Sequence, residues 1–239
     1  THATDPTDHP SLTGVDAPLA DNTANYPNDV GSYPENVLVG IDSAADTFTF
    51  SSASTYVDAK NGANTITGTA GNNHILAGTG ADTVTVTDGN NYINVGEGIN
   101  TITAGDGRNN ITTGDHADTI TVGSGHNEIN AGDGVNTITA TSGNNTITSG
   151  SGADTITASD GHNTITTTGG INTIAVGLGH NHITTGDGAD TITAGAGGNY
   201  IYAGAGINVI TTGAGNDEVH AGRDTDTITT GAGNDHIHV

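Results

Sequence analysis

The chain has 239 residues, 38 of them Gly, no Cys, Met or Trp, and three bases (Lys60, Arg108, Arg223) against 26 acids, for a formal charge of −23. Nucleic-acid binding needs clustered Lys and Arg, which three scattered bases do not supply, and anionic membrane surfaces are disfavoured for the same reason. No apolar run reaches membrane-spanning length, no Cys-based site or disulfide can form, and with 3% aromatics the core falls to Ile and Val.

Residues 1–41 contain all five Pro (Pro6, Pro10, Pro18, Pro27, Pro34), together with Leu12, Val15, Leu19, Tyr26, Tyr33, Val37 and Val39. This reads as an extended non-repeat segment, serving as an assembly strand or a cap. The chain opens at Thr1 without an initiator Met or a signal-peptide pattern, which reads as a mature, secreted, extracellular protein. Residues 42–59 fit a nine-residue register loosely, with Asp46, Phe48 and Val57 at its marker positions, and form a transition coil.

From Lys60 to Val239 the chain divides into twenty nonapeptides without insertion or deletion. Position 3 is Gly except at His116 and Asp224, position 5 is Asn or Asp, and position 7 is Ile except at Val84 and Val219. Gly, Asn and Asp tolerate positive φ, so positions 1–5 predict a tight turn. Positions 6–8, often Thr-Ile-Thr, predict a short strand with its central residue inward. The fold expected is all-β: a parallel β-solenoid with the Ile column as its core.

Odd and even nonapeptides differ on the outward positions 6 and 8. The odd set carries Thr65/Thr67, Thr83/Thr85, Thr101/Thr103, Thr119/Thr121, Thr137/Thr139, Thr155/Thr157, Thr191/Thr193 and Thr227/Thr229. In the even set only Thr146/Thr148 and Thr164/Thr166 are such pairs. That segregation requires 18 residues per coil and two faces, and ten such coils make a rod of roughly 48 Å. A 36-residue period is superimposed: Asp82, Asp118, Asp154, Asp190 and Asp226 alternate with Ile99-Asn100, Val135-Asn136, Ile171-Asn172 and Ile207-Asn208. It reads either as duplication of a 36-residue unit or as a stripe of branched residues for lateral contact.

The units Gly213-Ala-Gly-Asn-Asp217-Glu-Val219 and Gly231-Ala-Gly-Asn-Asp235-His-Ile237 resemble the RTX nonapeptide of secreted bacterial toxins, proteases and adhesins. The resemblance, covering residues 60–239, implies a β-roll with Ca²⁺ between coils, held by Asp carboxylates and turn carbonyls. Three departures stand out. The Gly before each turn is mostly Ala, Thr, Val or Ser, most calcium Asp are Asn, and no tail follows the repeats. Asp217 and Asp235, on one edge in adjacent coils, make the strongest expected calcium pair. Asp82, Asp118, Asp154, Asp190 and Asp226 are weaker candidates, and the Asn should stack in hydrogen-bonded ladders. His236 and His238, with His220 one coil below, form a cluster suited to a transition metal or a plain solvated face.

No carboxylate cluster with a basic partner appears, so catalysis is not expected. Three functions compete. The first is an extracellular filament or surface layer built by head-to-tail stacking, with His236, Ile237 and His238 meeting a neighbour's N-terminal region. The second is ice binding, because the Thr-x-Thr ladder resembles the flat face of β-solenoid antifreeze proteins. The third is the stalk of an adhesin.

Overall fold

The structure is a computed structural model describing residues 36–51 and 54–239. Leu12, Val15, Leu19, Tyr26 and Tyr33 lie outside the described residues. The described chain is a parallel β-solenoid of 23 strands, from β1 (Asn36–Val39), β2 (Thr47–Phe50), β3 (Thr55–Asp58) and β4 (Thr65–Gly68) to β21 (Glu218–His220), β22 (Thr227–Thr229) and β23 (His236–His238). Odd-numbered strands stack into a 12-stranded sheet B and even-numbered ones into an 11-stranded sheet A. Beyond β1, and apart from a bulge at Gly96, partners within each sheet lie 18 residues apart, as in Thr101↔Thr119↔Thr137. Thr101 and Thr119 therefore share one face, as the segregation of Thr pairs requires.

Strand alternation explains the interior. Positions 5, 7 and 9 of each nonapeptide point inward, and 6 and 8 outward. Ile120, Ile138 and Ile156 are fully buried, each contributing on the order of 1.5–3 kcal/mol. The Ile column is not the whole core, however. Position 9 adds Ala77, Val95, Ala104, Val122 and their equivalents, and position 5 adds buried Asn and Asp. Neither was expected inside, because Asn and Asp read as turn formers and position 9 as a mixture of small and β-branched residues without the constancy of the Ile position.

Glycine at position 3 answers two demands. Gly152 has φ +148°, and a Cβ there would overlap the Gly134 carbonyl one coil below. Backbones stacked at the spacing of paired strands leave no room for a side chain there.

The first coils depart from the frame. Asp46, Phe48 and Val57 are buried where Asn/Asp and Ile stand elsewhere. Phe50, inward at position 9, fills space into which a Cβ on Gly68 would project, so position 9 of the next coil is Gly. At β1 the spacing is 19 residues: Leu38 stands opposite Val57, and Val37 and Val39 opposite Tyr56 and Asp58. Leu38, not Val37 or Val39, packs against the core. The segment drawn to residue 41 thus contains a strand of the chain's own solenoid, with Val37 and Val39 paired to β3, which corrects the expectation that the whole segment is non-repeat. One extra residue shifts the alternation and hides this strand from an 18-residue template.

Candidate functional site

Two columns of inward polar side chains run the length of the rod. One begins at Asp46 and continues as Asn64, Asp82, Asn100, Asp118, Asn136, Asp154, Asn172, Asp190, Asn208 and Asp226. Asp and Asn alternate strictly, and from Asp46 to Asn208 every member is at most 2% exposed. Each backbone N–H donates to the side chain one coil further on. Asn64 N–H meets Asp82 Oδ1 at 2.8 Å, Asp82 N–H meets Asn100 Oδ1 at 3.0 Å, and Asn100 N–H meets Asp118 Oδ1 at 2.7 Å.

The second column is all Asn from Asn73 to Asn199 and ends in Asp217 and Asp235. Here the Asn amides also bond to one another: Asn109 Nδ2 donates to Asn127 Oδ1 at 2.9 Å, and Asn127 Nδ2 to Asn145 Oδ1 at 2.8 Å. The expected Asn ladder is present, but inside the rod rather than on its turns.

The amide groups also serve the turns. Asn64 Nδ2 donates to the carbonyls of Gly62 and Ala77, and Asn100 Nδ2 to those of Gly96 and Gly98. Where Asp replaces Asn, no side-chain N–H remains for the equivalent carbonyls, and an extra acceptor appears. The buried Oδ2 atoms of Asp82, Asp118, Asp190, Asp217 and Asp226 have no hydrogen-bond partner. A buried acceptor beside further acceptors is a costly arrangement unless a cation or a proton joins it.

The residue five positions earlier can relieve the carboxylate, but a hydroxyl there is not sufficient, since Thr212 Oγ1 and Asp217 Oδ2 are both left without a partner. Ser149 donates to Asp154 Oδ2 at 2.7 Å. Thr113 and Thr185 instead send their hydroxyls to the Ala131 and Ala203 carbonyls. Before Asp82 and Asp226 the position is Ala77 and Ala221, which donate nothing. Burial accordingly pushes the Asp82 carboxyl up to about 6, and raises those of Asp118 and Asp154 above the usual range.

A comparison with known protein families matches the RTX calcium-binding nonapeptide repeat (4 copies) at residues 58–93, 94–129, 130–165, 166–201 and 202–237. The chain belongs to this family. No curated protein and no solved structure matches it. RTX nonapeptides bind Ca²⁺ as a class, so the fit of this solenoid to calcium is a matter of its own donor atoms. The orphaned carboxylate oxygens fit a hard cation that takes oxygen ligands only. The Asn positions do not, because their amide N–H groups already occupy the turn carbonyls.

The remaining expected residues fall on the outer faces of this RTX solenoid. On sheet A, Thr65, Thr83, Thr101, Thr119, Thr137, Thr155, Thr191 and Thr227 form one column. Thr67, Thr85, Thr103, Thr121, Thr139, Thr157, Thr193 and Thr229 form the other, interrupted by Ala175 as the first is by Val209. Ile99, Val135, Ile171 and Ile207 protrude from one edge. On sheet B, His220 stands opposite His238 and Glu218 opposite His236. Glu218 was missed as part of this cluster, although it shares the outward face with His220 two residues on. Ile237 is inward by register yet 45% exposed, because no coil stacks beyond β23 among the described residues.

Proposed function

We propose that the chain is a secreted, non-catalytic structural rod, stiffened by calcium and extended by head-to-tail stacking of copies into a filament or layer. The observation that carries this reading is the column of buried carboxylate oxygens without partners, in a stack whose other turns are closed by Asn. Asp82, Asp118, Asp190 and Asp226 would hold Ca²⁺ on one edge, and Asp217 with Asp235 on the other. Bound calcium supplies positive charge that joins oxygens of successive coils. Asp154, served by Ser149, would be the weaker site. Sites of few carboxylates suit the ~10⁻⁴–10⁻³ M range of extracellular calcium modules.

The strand order supports stacking. Among the described residues, sheet B runs from β1 to β23 and sheet A from β2 to β22. A second copy placed end to end would pair its β1 with β23 and its β2 with β22, all parallel, and would cover Ile237. Sedimentation and electron microscopy of the full chain in calcium test this reading. Rods growing with concentration are expected, and Ile237→Asp should leave monomers with unchanged circular dichroism. Monomers of the unmodified chain at every protein and calcium concentration would overturn it.

The paired Thr columns favour one second reading, adsorption to ice through sheet A. A flat, regular array of hydroxyls and methyls can match an ordered water lattice. Thr137→Tyr, at the centre of the array, should then abolish thermal hysteresis, while Thr146→Tyr on sheet B should not. An unmodified protein without hysteresis at high concentration removes this reading.

A further inference from the structure

A different chemistry gathers on sheet B at β21 and β23. Their register sets Glu218 against His236 and His220 against His238, around the inward pair Val219 and Ile237. Strand alternation therefore brings all four polar side chains to one outer face, in a two-by-two grid. Grid spacings are fixed by the backbone at about 4.8 Å between strands and ~6.6 Å along them.

Within that grid the donors have already converged. His220 Nε2 lies 2.9 Å from Glu218 Oε1. The His220 and His238 rings stack with centroids 4.3 Å apart and an interplanar angle of 10°, and those of His236 and His238 are also 4.3 Å apart. One ligand atom from each of Glu218, His220 and His238 lies within 4.8 Å of the others. Metal-bound nitrogen and oxygen atoms at ~2.0–2.2 Å from an ion sit about 3–3.5 Å apart. Small rotations of these surface side chains bridge the difference. Tyr200 and Tyr202 stand beside His220, with centroids 5.5 and 6.1 Å away, and wall the cluster on the preceding coil.

We propose that Glu218, His220, His236 and His238 form a surface site for a divalent transition-metal ion of the zinc or copper class, independent of calcium in the turns. Three imidazoles with one carboxylate make a donor set that these borderline ions prefer and that calcium, which takes oxygen ligands, does not. The other stacked His pair shows the contrast. His162 and His180 lie 5.4 Å apart, but the backbone N–H groups of His180 and Gly198 donate to their Nδ1 atoms, each at 3.1 Å. Those rings are part of the turn ladder, and no carboxylate joins them.

Isothermal titration of the full chain with ZnCl₂ in excess CaCl₂ tests the site, with the turn carboxylates supplied with their own ion. One zinc ion per chain is expected. The double variant His220→Thr, His238→Thr should weaken binding by on the order of 100-fold or more, since even outer-shell losses cost 10–100-fold. Thr is a favoured strand residue and already fills this column at Thr166 and Thr184, so circular dichroism should be unchanged. The variant His162→Asn, His180→Asn should bind zinc as the parent does. With CuCl₂ in place of zinc, electron paramagnetic resonance of the unmodified chain should show nitrogen coupling from more than one imidazole. Absence of zinc binding in calcium, binding that survives loss of His220 and His238, or equal loss in the His162/His180 variant would each overturn the proposal.

Discussion

Asn and Asp differ at position 5 by one group, an NH₂ against an oxygen, and that difference decides what each turn needs. Asn64 closes its own turn by donating to Gly62 and ties it to the next coil through Ala77, whereas Asp82 leaves Oδ2 buried and unpartnered. The Asp82 carboxyl, raised to about 6 by burial, makes the charged form costly by on the order of 2–3 kcal/mol at neutral pH. A folded value above the unfolded one means stability that is present at low pH and lost as pH rises through it. Calcium-free protein should thus lose stability between about pH 4 and pH 7, and Asp82→Asn should flatten part of that fall. The same variant should melt higher than the parent at neutral pH without calcium and lower the calcium-induced gain. Thermal melts of both proteins across this pH range check it, and the difference between them isolates Asp82 from the rest of the acidic surface. Asn is sterically acceptable there, since the opposite column runs as unbroken Asn from Asn73 to Asn199. The identity of these residues was plain in the sequence, but their burial was not. Asn and Asp signal turns by their backbone preferences, and only alternation with positions 7 and 9 reveals that they begin the inward series.

At the scale of the coil, most of the fold was legible because one period does all the work of placement. A spacing of 18, with Thr pairs concentrated in odd units, is enough to assign both sheets and their register. Legibility fails where the period slips. The 19-residue spacing at β1 hid a strand whose inward residue is Leu38. The Phe50–Gly68 pair is a second local exception, and it is testable. Gly68 has no positive φ, and the nearest obstacle to a side chain is the Phe50 ring. Gly68→Ala should therefore destabilise the first coils by roughly 1–3 kcal/mol through overpacking, and Phe50→Val should restore much of the loss in the double variant. A double-mutant cycle of chemical denaturation measures the coupling. Simple additivity would show that the ring does not dictate the glycine.

Among the described residues the molecule is a stack in which each coil pairs with its neighbours, so its stability depends on how well successive turns are joined. Asn joins them with its own amide, whereas Asp accepts one backbone N–H and leaves an oxygen that, in the function proposed above, calcium would join. The rod should therefore remain folded without calcium where Asn closes the turns and gain rigidity coil by coil as calcium enters. The Asp column was visible in the sequence as a 36-residue period, but its orphaned oxygens depend on what stands five residues upstream, Ala77 and Ala221 without a hydroxyl and Thr113 and Thr185 with theirs turned to a carbonyl, a relation that only the folded coil brings together. The most direct measurement is a calcium titration, followed by calorimetry and thermal unfolding, of the parent and of a variant with Asp82, Asp118, Asp190, Asp217 and Asp226 all changed to Asn. The account predicts that the parent binds several calcium ions and melts higher with them, while the variant folds without calcium and gains almost nothing from it. Equal calcium binding and equal stabilisation of the two proteins would contradict it.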